Sequence, residues 1–317
     1  MKTSTSKRLR WNVAIWLAAG LFMTSTAGMA SGPIMPDPKA EARHQPQIEE
    51  TANGIPLVNI TAPSSGGVSR NEYETFNVPD KGAILNNSYT LSKTELAGYV
   101  QGNNNMAERP AKIIVNEVTG AGSTSMDGFL EVAGNRADVV IANPNGITVN
   151  GGGFINTGKA FLTTGKPVYD GEDHLQRFDI TGGDILIEGK GLGGKETGSL
   201  AILSRAVRIN AGIWAKDLHI TTGANSIDAK TLEASAIEGK GGHPAFALDT
   251  AAIGGMYAGR ITLVGTEKGL GVNNSGTWSA EDNLTLDWNG DLKNSGTIYS
   301  KGNTDLRASR LENDKTI

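Results

Sequence analysis

Hydrophobic residues fall in short runs rather than long helical stripes. The runs 111–118, 137–142, 146–149, 184–187, 199–203, 206–209, 217–221, 260–264 and 283–286 are rich in Val, Ile, Leu and Thr. Clusters of Gly, Asn and Asp bound them, as expected of strands separated by turns. The best helical stretch is residues 91–99, and it is short. Such a pattern predicts an all-β chain, either a sandwich or barrel or a stacked solenoid.

Internal repetition separates these architectures. Asn274-Ser275-Gly276-Thr277-Trp278-Ser279 recurs as Asn294-Ser295-Gly296-Thr297-Ile298-Tyr299, and Asn283-Leu284-Thr285-Leu286 recurs near Asn303-Thr304-Asp305-Leu306. Both repeats are separated by twenty residues. Residues 257–263 are a weaker copy, and 213–220 and 183–187 share its character. One such coil cannot bury its own apolar side, so it needs neighbours above and below. Repeated Asn and Ser at the turns are then placed to form hydrogen-bonded ladders. At twenty residues per coil the chain after its first segment is expected to make roughly thirteen coils, on the order of 60 Å of stack.

The first thirty residues change the picture. Lys2, Lys7, Arg8 and Arg10 precede an apolar run over 13–23, and small residues follow to Ala30. This is the pattern of a secretory signal peptide, expected to be cleaved after Ala27 or Ala30. Its removal would take the formal net charge from −4 to −8, because it carries four positive charges and no acids. Residues 31–52, with Pro33, Pro36, Pro38 and Pro46, read as an extended leader.

Composition narrows the chemistry. With 42 Gly in 317 residues, glycine is near twice its usual ~7%. The absence of Cys excludes disulfides, thiolate metal sites and Cys nucleophiles. An exported chain that must stay threadable gains from lacking disulfides. The net negative charge offers no basic field for nucleic acid. Gly189-Lys190-Gly191-Leu192-Gly193-Gly194-Lys195 imitates a nucleotide loop, but Glu196 stands where Ser or Thr is needed, so a flexible loop between coils is expected. Asp170-Gly171-Glu172-Asp173-His174 lacks calcium-loop spacing and reads as a solvated loop. His44, His174, His219 and His243 share no metal-ligand spacing, and His219 lies within a strand run. Asp287-Trp288-Asn289-Gly290-Asp291 reads as a coil corner. No metal and no cofactor are expected, and no set of carboxylates recurs at the twenty-residue period as a polysaccharide-processing β-helix would need. The chain is therefore not expected to be an enzyme.

One segment stands out chemically. Asn143-Pro144-Asn145-Gly146 has Asn, Pro and Gly where a tight turn wants them, and Ile147 opens the next run. By itself this is a structural turn. Its surroundings, residues 136–142 before and Thr148-Val149-Asn150-Gly151-Gly152-Gly153-Phe154-Ile155-Asn156-Thr157 after, resemble the secretion domain of two-partner secretion exoproteins, the filamentous haemagglutinin-like family. More narrowly, the stretch is similar to the contact-dependent growth inhibition and haemolysin branch. Further matching segments follow in order at 67–78, 82–88, 114–119 and 128–134, and the resemblance covers residues 53–265.

The resemblance implies a right-handed parallel β-helix with an N-terminal cap and extra-helical strands. It divides the chain into a signal peptide (1–30), the leader (31–52), the secretion domain (53–265) and the start of a repetitive shaft (266–317). The partners it implies are the Sec machinery, a cognate Omp85-family outer-membrane transporter with periplasmic modules, and a target-cell receptor engaged by distal regions. Passage through the periplasm to the outer cell surface is implied, with a distal toxin as cargo; an adhesin binding host receptors or glycans is the alternative. Transporter recognition is expected at Asn143, Pro144, Asn145, Gly146 and Ile147, with secondary motifs at Asn86, Asn87 and Ser88 and at Asn103, Asn104, Asn105 and Met106. Two departures are visible. The family's upstream Asn-Pro-Asn-Leu turn is here Asn103-Asn104-Asn105-Met106, and Val149 and Gly152 stand where the haemolysin-like branch often carries a Cys pair.

Overall fold

The computed structural model describes residues 32–107 and 109–317. The segment read as a signal peptide lies outside the described residues. All nine runs picked out by their hydrophobic pattern fall in strands, and no α-helix occurs among the described residues.

The chain winds around one apolar interior, visiting three parallel faces in turn. The first face stacks Val68–Phe76, Ile113–Val118, Ala137–Ala142, Thr157–Thr163 and Ser199–Ser204. It continues through the distal parts of Gly212–Thr222 and Gly255–Gly265 to Leu284–Trp288 and Thr304–Arg307. The second face is an eight-stranded sheet running from Thr124–Met126 through Ile147–Val149, Asp184–Ile187, Ala206–Ile209 and Leu248–Thr250 to Arg310–Asn313. The third stacks Ala83–Asn87, Phe129–Gly134, Gly152–Ile155 and Leu192–Gly194. It then takes in the first parts of Gly212–Thr222 and Gly255–Gly265 before Thr277–Ala280 and Thr297–Ser300. This is a β-helix, as the twenty-residue repeat predicts.

Alternation explains why these segments hold their register. In Leu284–Trp288, Leu284, Leu286 and Trp288 are buried while Thr285 and Asp287 are exposed. A slip of one residue would turn the three apolar side chains outward. The inward residues of all three faces form one core, from Ile34 and Val58 through Ile141, Leu162, Ile202 and Ile220 to Leu286 and Ile298. At ~25 cal/mol per Å², that core is the main stabilising term. It matures only by stacking, since each rung borrows its neighbours' apolar surface.

The expected thirteen coils are too many. The first face has nine rungs, because eight register pairings join nine strands, giving a stack of about 40 Å. The twenty-residue spacing is regular between the last coils, where Thr277 pairs with Thr297 and Leu284 with Thr304. Upstream, residues are spent on excursions. Lys166–Tyr169, Leu175–Ile180, Asn225–Asp228 and Ala234–Ala236 form a separate antiparallel sheet. Its Phe178, Ile180 and Ile227 pack with Val115, Val140, Phe161 and Leu203, making a second core on the outside of the first face. That cover is why Ser199–Ser204 is buried on both sides and reads in sequence as a continuous apolar run.

The segment read as an extended leader is extended, but as strands that close the start of the stack. Ile34–Pro36 pairs antiparallel with Val68–Phe76, and Gln47–Glu50 with Pro56–Asn59, shielding edges that would otherwise invite another chain. The helix expected at 91–99 does not form. Ser92–Thr94 and Gly98–Val100 make a small hairpin instead. Gly98 takes φ +72°, and the Glu131 carboxylate accepts hydrogen bonds from the backbone N–H of Glu95 (2.7 Å) and Leu96 (2.9 Å). Donors tied up by a distant acid are not free for a helix.

The expected turn ladders are present. Asn274 Nδ2 donates to Asn294 Oδ1 at 2.8 Å, and Asn294 Nδ2 to Asn313 Oδ1 at 2.7 Å; Ser275 and Ser295 lie 3.1 Å apart. Asn294 is fully buried, so Asn294→Ala breaks the ladder at its centre and takes the short acceptor from the buried Asn274 amide. The expected result is a loss of about 2 kcal/mol in urea unfolding. An unchanged midpoint would show that the ladder contributes nothing net.

Candidate functional site: the Asn143 corner

Asn143–Gly146 turns the chain from the first face to the second, between Ala137–Ala142 and Ile147–Val149. The turn is closed by the Gly146 N–H donating to the Asn143 carbonyl at 3.0 Å. Gly146 has φ +109°, and a Cβ there would lie 3.0 Å from the Asp184 carbonyl oxygen on the next coil. Glycine is thus required by both backbone conformation and packing.

The Asn143 side chain is completely buried, and all of its polar atoms are used. Its Nδ2 donates to the Gly122 carbonyl (2.9 Å) and to Thr124 Oγ1 (3.0 Å), joining this corner to the corner of the coil before it. Its Oδ1 accepts from the Asn145 N–H at 2.9 Å. Asn145 adds a second link down the stack, from Nδ2 to the Gly120 carbonyl at 2.8 Å. Ile147 is buried in the main core. Of the five residues expected to meet a transporter, only Pro144 and Asn145 are exposed.

The secondary motifs come together with one another but at a different corner. Asn86 and Asn87 end a third-face strand, and the chain then leaves the stack before reaching the first face. Asn103 Nδ2 donates to the carbonyls of Ile60 (2.9 Å) and Asn86 (3.0 Å), while the Asn103 N–H donates to the Ser88 carbonyl at 2.6 Å. Asn87 Nδ2 reaches the Ala111 and Asn135 carbonyls, both at 2.9 Å. Asn105 N–H caps onto Asn103 Oδ1 at 3.0 Å, the same Asx turn that Asn145 makes with Asn143. The missing Pro therefore does not open that turn, because the amide side chain holds it. Ser88 and Met106 are buried, and Asn104 is exposed.

The other sequence features find structural places. The glycine loop at 189–195 is a corner followed by strand Leu192–Gly194, with Leu192 fully buried, so it belongs to the stack rather than to a flexible loop. Trp288 at the 287–291 corner is buried and donates Nε1–H to the Leu270 carbonyl at 2.8 Å. The acidic loop at 170–174 folds on itself, His174 Nδ1 lying 3.0 Å from Asp170. Its Asp173 also reaches Arg43 in the cap at 2.6 Å. Among the described residues, no group of three or more His, Asp or Glu side chains is placed to hold a metal ion.

A buried charge cluster escapes sequence reading. Arg70 Nη2 lies 2.9 Å from Glu72 and 3.5 Å from Glu117, its guanidinium sits 4.4 Å from the centre of the Tyr169 ring, and His44 Nδ1 lies 3.0 Å from Glu72. These residues fasten the cap, the first rungs and the outer sheet to each other. Burial pushes the Glu117 carboxyl up to about 7, against the opposing pull of Arg70. Burial likewise lowers His44. The visible signal was a carboxylate, Glu117, shortly after the apolar stretch Ile113-Ile114-Val115 within the strand run at 111–118.

Comparison with known proteins agrees with this geometry. A family model described as "TPS secretion domain" matches residues 33–298. Toxin CdiA of Yersinia pestis is 42% identical over 298 residues, covering 87% of this chain and 9% of that protein. The 16S rRNA endonuclease CdiA of Enterobacter cloacae is 44% identical over 280 residues, covering 87% of this chain and 8% of its own length. The chain thus spans less than a tenth of these curated relatives. Among solved structures, the filamentous hemagglutinin secretion domain superposes with a TM-score of 0.75 at 31% identity, covering 89% of this chain and 97% of that one. With the family match running from the cap almost to the last rung, and a solved secretion domain sharing the same winding, this chain belongs to the TPS secretion domain family.

Proposed function

We propose that this domain is the export module of a longer CdiA-type exoprotein. In this reading a signal peptide at 1–30 directs the chain to the Sec machinery, and it crosses the periplasm unfolded. A cognate transporter of the TpsB, Omp85-type class then recognises the domain and passes it to the cell surface. The distal cargo is a toxin carried beyond residue 317, and any target-cell receptor is engaged by distal regions. The domain itself does no catalysis. In this reading residues 53–265 are the secretion domain, 31–52 the leader before it, and 266–317 the start of a repetitive shaft.

The observation that carries the reading is the shared interior. Each rung covers the apolar side chains of the one before, so folding outside the membrane would bias motion outward without a nucleotide. Recognition is assigned to the two exposed atoms-bearing residues of the corner, Pro144 and Asn145, while Asn143 holds their shape. Asn143→Ala is expected to lower stability by about 2–3 kcal/mol, since the Asn145 N–H and the Gly122 carbonyl lose a buried partner. Secretion should fall with it. Pro144→Ala is expected to leave urea unfolding nearly unchanged yet reduce secretion through the cognate transporter. Undiminished secretion of Pro144→Ala would assign the corner a purely conformational role.

A further inference from the structure

The outward side of the third face carries a single file of aromatic side chains. Following the register up the stack, Phe129 leads to Gly153, Gly193, Trp214, Tyr257, Ser279 and Tyr299. Phe129, Tyr257 and Tyr299 are 42%, 38% and 49% exposed, and Trp214 is half-buried. Their ring atoms fill the space that a side chain on a neighbouring glycine would need. A Cβ on Gly212 would fall 2.4–3.1 Å from three atoms of the Trp214 ring, and a Cβ on Gly255 would meet Tyr257 within 2.9 Å. Phe129 instead reaches across to the next rung, where its ring fills the space of a Cβ on its register partner Gly153. The Trp214 and Tyr257 planes are only 15° apart, with centroids 6.1 Å from each other. Between Phe129 and Trp214 the glycine at 193 floors a hollow of about 300 Å³, bordered by the exposed Lys195 and Glu196.

We propose that this strip binds a linear, β-linked oligosaccharide, its pyranose rings resting flat on Phe129, Trp214, Tyr257 and Tyr299. Shape and chemistry select that occupant. Six register steps of ~4.8 Å make a track about 29 Å long, yet only one side chain wide. A folded partner needs about 800 Å² on each side, which so narrow a strip does not offer. A strand from another protein has no edge to join, since Trp214 pairs with a neighbour on each side. Aromatic faces are electron-rich and attract the polarised C–H faces of a sugar ring. Lys195 and Glu196 border the track, and the hydroxyls of Ser279 and Tyr299 lie within it, as hydrogen-bond partners for the ring edges. Rungs repeat at close to the length of one pyranose unit, so an extended glycan keeps step with the stack. The glycines keep their Cβ-less backbones because the rings occupy that space.

Cellohexaose and chitohexaose are the probes, titrated into the exported chain. Trp278 and Trp288 are buried in the core, so a change in tryptophan emission on the surface reports Trp214. The expected result is a saturable change at millimolar sugar or below. Trp214→Ala, followed by calorimetry because the reporter is lost, should weaken binding at least about tenfold, and Trp214→Phe should recover most of it. Gly212→Val, which pushes the indole off the sheet, should weaken binding in the same way while its circular dichroism stays that of the parent. The proposal is overturned if neither sugar binds at millimolar concentration, if Trp214→Ala binds as well as the parent, or if an extended peptide binds the strip and the sugars do not.

Discussion

Replacing Ile141 by Asp is expected to unfold the domain and abolish its export. Ile141 sits in strand Ala137–Ala142, fully buried, between Asn116 on one rung and Leu162 on the next. Its side chain belongs to the single interior that runs the length of the stack. A carboxylate there would have neither water nor a cation, which costs more than about 4 kcal/mol and exceeds what a marginally stable domain can lose. The control is Thr148→Asp, on the neighbouring face, where the side chain is only half-buried. Surface immunodetection in cells with the cognate transporter, with thermal unfolding of the purified chains, measures both effects. Export of Ile141→Asp at the parent level would remove coil-by-coil folding as the outward bias.

Two titrating groups, the buried Glu117 and the half-buried His219, are expected to tilt stability in opposite directions with pH. Burial holds the Glu117 carboxyl at about 7, above its ordinary 4.5. Its proton is bound more tightly in the folded state, so this contribution is complete below pH 4.5 and is lost as pH rises through 7. Burial pushes His219 down from 6.5 to about 4. Its neutral form is favoured by folding, so this contribution is complete above pH 6.5 and is lost as pH falls through 4. Each effect amounts to about 3 kcal/mol at most. Between pH 4.5 and 6.5 they offset each other in the parent chain. Glu117→Gln should therefore be more stable than the parent at pH 8, and His219→Gln more stable at pH 4. Urea midpoints collected across this pH range check the result; parent and variant curves that run parallel would contradict it.

His219 also shows where sequence reading stops. Its place in a strand run was legible, and its side chain does point away from the main core. It is half-buried there and hydrogen-bonded to Thr221 at 2.8 Å. Its register neighbours, Ala201 on one rung and Thr262 on the next, come from distant parts of the chain. Glu117 is similar, since its environment is made by Arg70, Glu72 and the Tyr169 ring. Neither shift follows from neighbours in sequence.

The candidate site divides in the same manner. Asn143-Pro144-Asn145-Gly146 announced a turn through local chemistry alone, because Pro and Gly have strong backbone preferences. That the Asn143 amide is spent on Gly122 and Thr124, leaving Pro144 and Asn145 outward, depends on the coil beneath. Nor could spacing reveal that residues 86–88 and 103–106 share one corner while 143–147 occupies another.

Short apolar runs bounded by turn residues and the twenty-residue repeat determined by themselves that this chain is a stack of short strands, since strand formation and coil repetition are local and periodic. The number of rungs, the antiparallel closure at 32–52, the hairpin at 92–100 and the outer sheet were decided only by tertiary structure. Three-residue strands such as Leu192–Gly194 have no period to detect and weak preferences of their own. They are strands because the rungs on either side offer them hydrogen bonds and an interior to fill.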